Sequence, residues 1–384
     1  MASAHMMVDG YSNIYAPLLP LLVPRLGLSL AAAGTLTMLF QIAASVAQVG
    51  FGHLADRWRP RTLVMAGPVL AVSVLSFVGA AQSPGMLALI LVTGGLGAAA
   101  FHPPAAALAH RLGGERRGLA MSVYITGGTL GFSLGPLMFA PFAQQFGLEW
   151  TPVLAIPGLM VVAFFLSRVP PMPVHSASGG GFHALRPYAR PLGLLYSIVV
   201  LRTLTSLAFA TFMPLMLTRR GYTVSEAGTA AAIYLFASGI GGFLGGPFAD
   251  RFGPRRVIAL SLVAAVPFLF TATFVSGLPF VVLVAIGGLF LQSTLPVNVM
   301  FGQAIAPVSA ATVSSLMMGF AWGTGGLSVP FVGMIADRVG IEATLAGLSV
   351  VPLLAAACTL PLPDRPRPQG AVGPAELVVP EAGR

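Results

Sequence analysis

The sequence predicts an all-α integral membrane protein of twelve transmembrane helices, arranged as two pseudo-symmetric six-helix bundles. Three observations carry that expectation. Of 384 residues, 56% are hydrophobic and only 8% are charged, too little polar surface to coat a soluble globule. The apolar residues gather into about twelve runs of roughly 20, the length an α-helix needs to cross the hydrocarbon core. The chain also repeats: Gly-His-Leu-Ala-Asp-Arg-Trp-Arg-Pro-Arg at 52–61 returns as Gly-Pro-Phe-Ala-Asp-Arg-Phe-Gly-Pro-Arg at 246–255, an offset of 194. The same ungapped shift carries Pro20 onto Pro214, Gly27 onto Gly221, Gly34 onto Gly228 and Pro136 onto Pro330.

In order, the runs cover 3–24, 31–54, 62–82, 86–110, 118–139, 149–167, 192–217, 224–248, 256–276, 280–303, 312–334 and 342–361. Breaks bearing Gly, Pro and Arg separate them, while Gly and Pro inside the runs are tolerated by membrane helices. The first run has neither a basic leader nor a cleavage site, so it is expected to be retained as a span. Residues 1–167 form the first bundle and 191–361 the second. Between them 168–190, opening with the Pro- and Gly/Ser-rich stretch 168–181, is expected to be a cytoplasmic linker. The proline-rich segment 362–384 is expected to be a disordered cytoplasmic tail.

Charge orients the chain. All 20 basic residues are arginines, and placing both termini in the cytoplasm puts fifteen of the 20 inside. Arg25, Arg219, Arg220 and Arg338 fall outside, and Arg202 lies within a span. The formal charge of +9 therefore marks loops that anchor a membrane protein, not a face for nucleic acid. The single Cys358 cannot form an internal disulfide and reads as packing. With no Gly-Lys-Ser/Thr loop there is no sign of ATP as energy source. No cofactor is expected. A membrane-embedded enzyme is disfavoured, because no Ser/His/Asp set and no metal-ligand cluster converges on one level by spacing.

The candidate site starts from charges that a bilayer disfavours. Arg202 lies about ten residues, or roughly 15 Å, into the seventh run, near the midplane. An arginine there costs on the order of 3 kcal/mol, so it needs an aqueous cavity or a partner. The repeat sets Asp9 against Thr203, at the same depth in the first run. Two readings stand: a structural Asp9–Arg202 pair, or two groups facing a central cavity that handle substrate and proton. His5, Asp9 and Asn13 recur every four residues as a polar stripe, with Arg202, Thr205, Ser206 and Phe209 as its counterpart. His102 precedes Pro103 and Pro104, which are expected to break the fourth helix and free backbone carbonyls. Gln41, Gln292 and Asn298 are further cavity candidates, with interhelical hydrogen bonding the plainer role for each.

Gly127, Gly131 and Gly135, ahead of Pro136, let helix backbones approach closely. In the repeated loop Gly52, Asp56, Arg57, Arg61, Asp250, Arg251 and Arg255 read as a conformational latch. Each aspartate can engage a helix N-terminus or a cation of the other bundle in one of two packings. A third Gly-x-x-x-Asp-Arg, at Gly333, Asp337 and Arg338, is off the repeat frame and on the outer side. It reads equally as chance or as an outer gate contact.

Two bundles of like orientation, each with the Gly-x-x-x-Asp-Arg loop after its second helix, resemble the major facilitator superfamily. Within it the chain is similar to the fosmidomycin-resistance type of drug exporter, on His5-x-x-x-Asp9, Pro-Leu-Leu-Pro-Leu-Leu at 17–22, Phe101-His102-Pro103 and Gly127-Gly128-x-x-Gly131-x-x-x-Gly135-Pro136. Pro104 stands where that type often has an acidic residue. The resemblance implies proton-coupled export, by antiport across a bacterial inner membrane, of a small anionic or polar drug-like compound. In that scheme Arg202 attracts the anionic group, Asp9 carries the proton, and His5 and His102 assist, in a monomer working by rocking of its bundles. The alternatives are an importer of a soft ion such as Cu(I), suggested by 16 methionines, or of a small organic anion.

Overall fold

The computed structural model describes residues 1–57, 59–172, 182–307 and 310–364. The expectations for Trp58, for most of the linker stretch (173–181) and for the tail from 365 fall outside them. Twelve helical units follow one another. The first bundle holds α1 (Ala2–Ser12 and Tyr15–Leu26), α2 (Leu30–Ala55), α3 (Pro60–Ala80), α4 (Pro84–Leu112), α5 (Arg117–Phe146) and α6 (Leu148–Leu166). The second holds α7 (Ala189–Arg219), α8 (Val224–Phe252), α9 (Pro254–Ala272), α10 (Gly277–Ile305), α11 (Thr312–Val339) and α12 (Ile341–Ser349 and Val351–Ala357). Ten of these are long and apolar enough to cross a membrane unbroken, and the two-part α1 and α12 complete the set.

Local chemistry explains the boundaries. Ser29 and Ser83 cap α2 and α4 by accepting from Ala32 N and Met86 N, and Thr223 and Glu226 form a capping box on α8. Pro60, Pro84 and Pro254 open their helices at the first turn, where a missing N–H costs nothing. Gly27 and Gly221 close α1 and α7 at φ of 60° and 89°, a conformation a side chain disfavours, which accounts for their match across the repeat. Within α1 the helix breaks at Asn13, the residue whose carbonyl the ring of Pro17 opposes four positions later. By contrast α4 runs unbroken through Pro103 and Pro104, against the sequence expectation. Two prolines in the middle of 29 residues remove only local hydrogen bonds, and the bonded turns on both sides hold the helix together.

Small residues set the packing. On α5, Cβ atoms at Gly127, Gly131 and Gly135 would collide with the carbonyls of Ala2, Met6 and Gly10, one per turn of α1. The glycine stripe is therefore the surface on which α1 lies.

The two bundles meet mainly at the end away from the chain termini, and there the repeat becomes structural. Gly34 of α2 lies under Val329 and Pro330 of α11, where a Cβ would be 2.6 Å from the Val329 carbonyl. Its repeat partner Gly228 of α8 lies under Pro136 and Ala140 of α5, a Cβ falling 3.0 Å from the Pro136 carbonyl. Thus Gly34, Gly228, Pro136 and Pro330 are the same contact made twice about the pseudo-twofold axis. Nearer the middle, a π-helical turn of α2 (Ile42–Val46) faces one of α11 (Ser315–Phe320). Gly319 there approaches the Ser45 carbonyl, and Gly323 the Val46 side chain.

Candidate functional site

The α1 stripe faces α5 in strict register. His5 Nδ1 donates to the Tyr124 carbonyl at 2.8 Å, Asp9 sits over Gly128, and Asn13 Nδ2 donates to the Phe132 carbonyl at 2.9 Å. Gly128 makes this possible, since a Cβ there would lie 2.5 Å from Asp9 Oδ2 and 2.6 Å from His5 Cε1. The unbroken α4 brings His102 to the same level. His5 Nε2 is 3.2 Å from Asp9 Oδ2, and His102 Nε2 is 3.4 Å from Asp9 Oδ1. His5 stacks on Tyr124 with ring centroids 4.1 Å apart, and His102 meets it edge-on at 5.1 Å. Asp9 and His5 are buried, at 4% and 8% exposure, while the His102 side chain keeps 21%. The cluster thus opens at His102. Three potential metal ligands converge here, contrary to the reading from spacing, because His102 joins from a different helix.

This geometry fixes proton positions. A carbonyl oxygen only accepts, so the hydrogen bond to Tyr124 places a hydrogen on His5 Nδ1. The neutral ring then presents the lone pair of Nε2 to a carboxylate oxygen, an unfavourable approach unless a proton lies between them. With that proton, and with His102 donating from Nε2, the buried cluster carries no net charge. Without it, a carboxylate would be buried without a cationic partner, which is costly.

Arg202 occupies the other bundle and is fully buried. It donates to Gln292 Oε1 on α10 and, at 3.0 Å, to Thr203 Oγ1. Its guanidinium lies 5.2 Å from the ring centroid of Trp322 on α11. Nε has no partner. Asp9 makes its ion pairs with the two histidines, so there is no Asp9–Arg202 pair. The attraction expected from equal depth is lost because each side chain turns into its own bundle. Arg202 is left a buried cation with no carboxylate against it among the described residues. Thr205 and Ser206 bond α12 and α8, to the Leu348 carbonyl and Tyr234 respectively.

The remaining candidates separate. Gln41 packs across the bundle boundary, its Cβ 2.9 Å from where Gly326 of α11 would carry one. Asn298 is fully buried and donates to the Thr294 carbonyl, leaving Oδ1 unpartnered. Gly52 faces Pro103. In the loop motif the side chains of Asp56 and Arg57 lie outside the described residues. Arg61 reaches the Val169 carbonyl beyond α6, and Arg255 reaches Asp364 and the Leu360 carbonyl beyond α12. These are repeat-related clasps within each half. Asp250 is exposed, with no ion pair among the described residues, and Arg251 lies over Phe252. The off-frame copy bridges the bundles instead: Asp337 accepts from Leu30 N at 2.9 Å and Ala31 N at 3.0 Å, at the start of α2. In the other half Gln144 of α5, one position beyond the 194-offset match Ala143, makes a similar contact and accepts from Ser225 N at 2.7 Å at the start of α8.

Tyr124 and Trp322 escaped the sequence reading, and Gly128 entered it only as part of the glycine motif. Tyr124 and Gly128 carry the i, i+4 period that pairs them with His5 and Asp9. Trp322, one of only three tryptophans, stood in a glycine-rich segment.

The sequence profile of the Major Facilitator Superfamily matches residues 1–223 and again 195–380. The chain belongs to the Major Facilitator Superfamily. It is 29% identical over 372 residues to the fosmidomycin resistance protein of Escherichia coli strain K12, spanning 94% of this chain and 91% of that one. The multidrug resistance protein MdtG of Serratia proteamaculans is 30% identical over 285 residues, 68% of each chain. Among solved structures, a bacterial homologue of the human lysosomal transporter Spinster, inward-facing and occupied, superimposes with a TM-score of 0.77 at 19% identity, over 93% of this chain and 94% of that one. The nucleoside transporter NupG gives 0.71 at 15%, over 93% and 96%. These last two show the fold alone. As a member of the Major Facilitator Superfamily the protein is a multi-pass bacterial membrane protein, a secondary-active transporter of small molecules rather than an enzyme.

Proposed function

We propose that this transporter exports a small anionic or polar compound in exchange for protons, in the manner of the fosmidomycin-resistance type, across a bacterial inner membrane with both termini in the cytoplasm. The observation that carries the reading is Arg202, fully buried, with Nε unpartnered and no carboxylate beside it among the described residues. A buried cation without its counter-ion is half of a site that an anion completes. Trp322, Gln292 and Thr203 hold the guanidinium in place.

The second half of the exchange is the His5–Asp9–His102 cluster, with room for one proton between His5 Nε2 and Asp9 Oδ2. Losing that proton leaves a buried net charge, so occupancy biases the packing of the bundles, as coupling requires. The contacts at the end away from the termini support reading this state as inward-facing. The loop latches at Asp56 and Asp250 then belong to the opposite packing. The similarity to the fosmidomycin and multidrug resistance proteins supports a drug-like substrate leaving the cell. A Cu(I) importer is less well served, because the converging ligands are imidazole and carboxylate, not thioether.

Proteoliposomes with an imposed pH gradient test the proposal, using a phosphonate, a simple organic anion and Cu(I) as candidate substrates. The expected result is gradient-dependent movement of an anion, abolished by Arg202→Ala and by Asp9→Asn. Movement of Cu(I) with no anion transport would overturn it.

A further inference from the structure

We propose that His5, Asp9 and His102 also form a binding site for a divalent transition-metal ion of the Zn²⁺ class, which takes the place of the shared proton. Three independent features point to it. The Asp9 carboxylate stands between both imidazoles, Oδ2 at 3.2 Å from His5 Nε2 and Oδ1 at 3.4 Å from His102 Nε2, each close to the edge of about 3.3 Å of a tetrahedron with metal–ligand bonds of about 2.0 Å. His5 already donates its other ring hydrogen to a backbone carbonyl, at Tyr124, the arrangement that fixes the tautomer and aim of a metal-binding imidazole. All three ligand atoms lie within 4.8 Å of one another, close enough for side-chain rotations to draw them onto one ion.

The chemistry of the set selects the ion. Two imidazoles and one carboxylate suit Zn²⁺ or Co²⁺ better than Cu(I), which wants sulfur, or Mg²⁺, which wants oxygen alone. Three protein ligands leave a fourth position free. Since His102 is the least buried member, that position and the route of entry lie on its side of the cluster. Gly128 is essential to the volume, for a methyl group there would occupy the place of Asp9 Oδ2. Binding of the ion does not depend on the transport reading. Its consequence does: an ion seated at this point excludes the proton and stops exchange.

Titrating the purified, untagged full-length chain in detergent with Co²⁺ tests the site. One Co²⁺ per chain should appear with the intense visible absorption of a tetrahedral site and be displaced by Zn²⁺. Asp9→Asn and His102→Gln, which preserve shape, should each weaken binding by more than about 10-fold, the least expected from changes around a metal site. The exposed His53 and His110 lie outside the cluster, and His53→Ala or His110→Ala should leave binding unchanged. Monodisperse elution and helical circular dichroism identify folded variants, so if one cluster variant misfolds the other decides. Absence of saturable binding, or full-strength binding in a folded cluster variant, would overturn the proposal. Micromolar Zn²⁺ should also block proton-coupled transport. If Zn²⁺ binds but transport is not proton-coupled, the site stands and the exchange reading falls.

Discussion

At the scale of single residues, the two buried ionisable centres are held in different ways, and their variants should differ accordingly. Arg202 is positioned by a cation–π contact with Trp322 and a hydrogen bond to Gln292. A lysine keeps the charge but not the plane or the fork of donors. Arg202→Lys is therefore expected to fold and to lose at least 10-fold in transport efficiency, measured as initial uptake at low substrate. Gln292→Ala leaves the guanidinium with one fewer acceptor inside the bundle. It should cost on the order of 1–3 kcal/mol, the penalty for an unsatisfied buried donor, visible as a lower thermal unfolding midpoint in detergent. The residues themselves were legible in the sequence, because Asp9 and Arg202 are charges where hydrocarbon should be. Their partners were not. Equal depth suggested that the two pair, but depth says nothing of azimuth around a helix, and both side chains point into their own bundles.

At the scale of elements, glycine spacing was a sound guide and proline was not. The stripe on α5 reads as close packing from sequence, and the carbonyls of Ala2, Met6 and Gly10 against it show why. Gly131→Ala should accordingly destabilise the protein and displace Asp9 from Gly128, whereas Gly50→Ala or Gly347→Ala, with nothing within 4 Å, should not. A thermal-shift comparison of the three checks this, with a lowered midpoint expected for Gly131→Ala alone. Proline misled at α4 because its cost was counted against the isolated helix. Continuity is what places His102 beside Asp9, so the feature that made His102 look like a break in fact delivers it to the cluster.

At the scale of the whole molecule, the 194-residue repeat predicted two bundles, and four of its matched residues, Gly34, Gly228, Pro136 and Pro330, turned out to be where the bundles touch. The sequence could not assign Asp337, which is off the repeat frame, because its partners are backbone N–H groups that carry no sequence signal. Its carboxylate at the start of α2 contributes a few tenths to about 1 kcal/mol, as an exposed charge at a helix N-terminus does. Asp337→Asn should thus shift the balance of states by up to about fivefold towards opening at that end. In a Cys358→Ser background, Leu30→Cys should then label faster with an impermeant maleimide applied from outside. The proposed exchange sets an anion at Arg202 against a proton at Asp9. Proton release in weakly buffered detergent solution, on addition of a transported anion, tests it most directly. The expected result is a burst of protons from the wild type and none from Asp9→Asn, even where Asp9→Asn still binds the anion. Equal release from Asp9→Asn, or anion binding by the wild type with no release, would contradict the account.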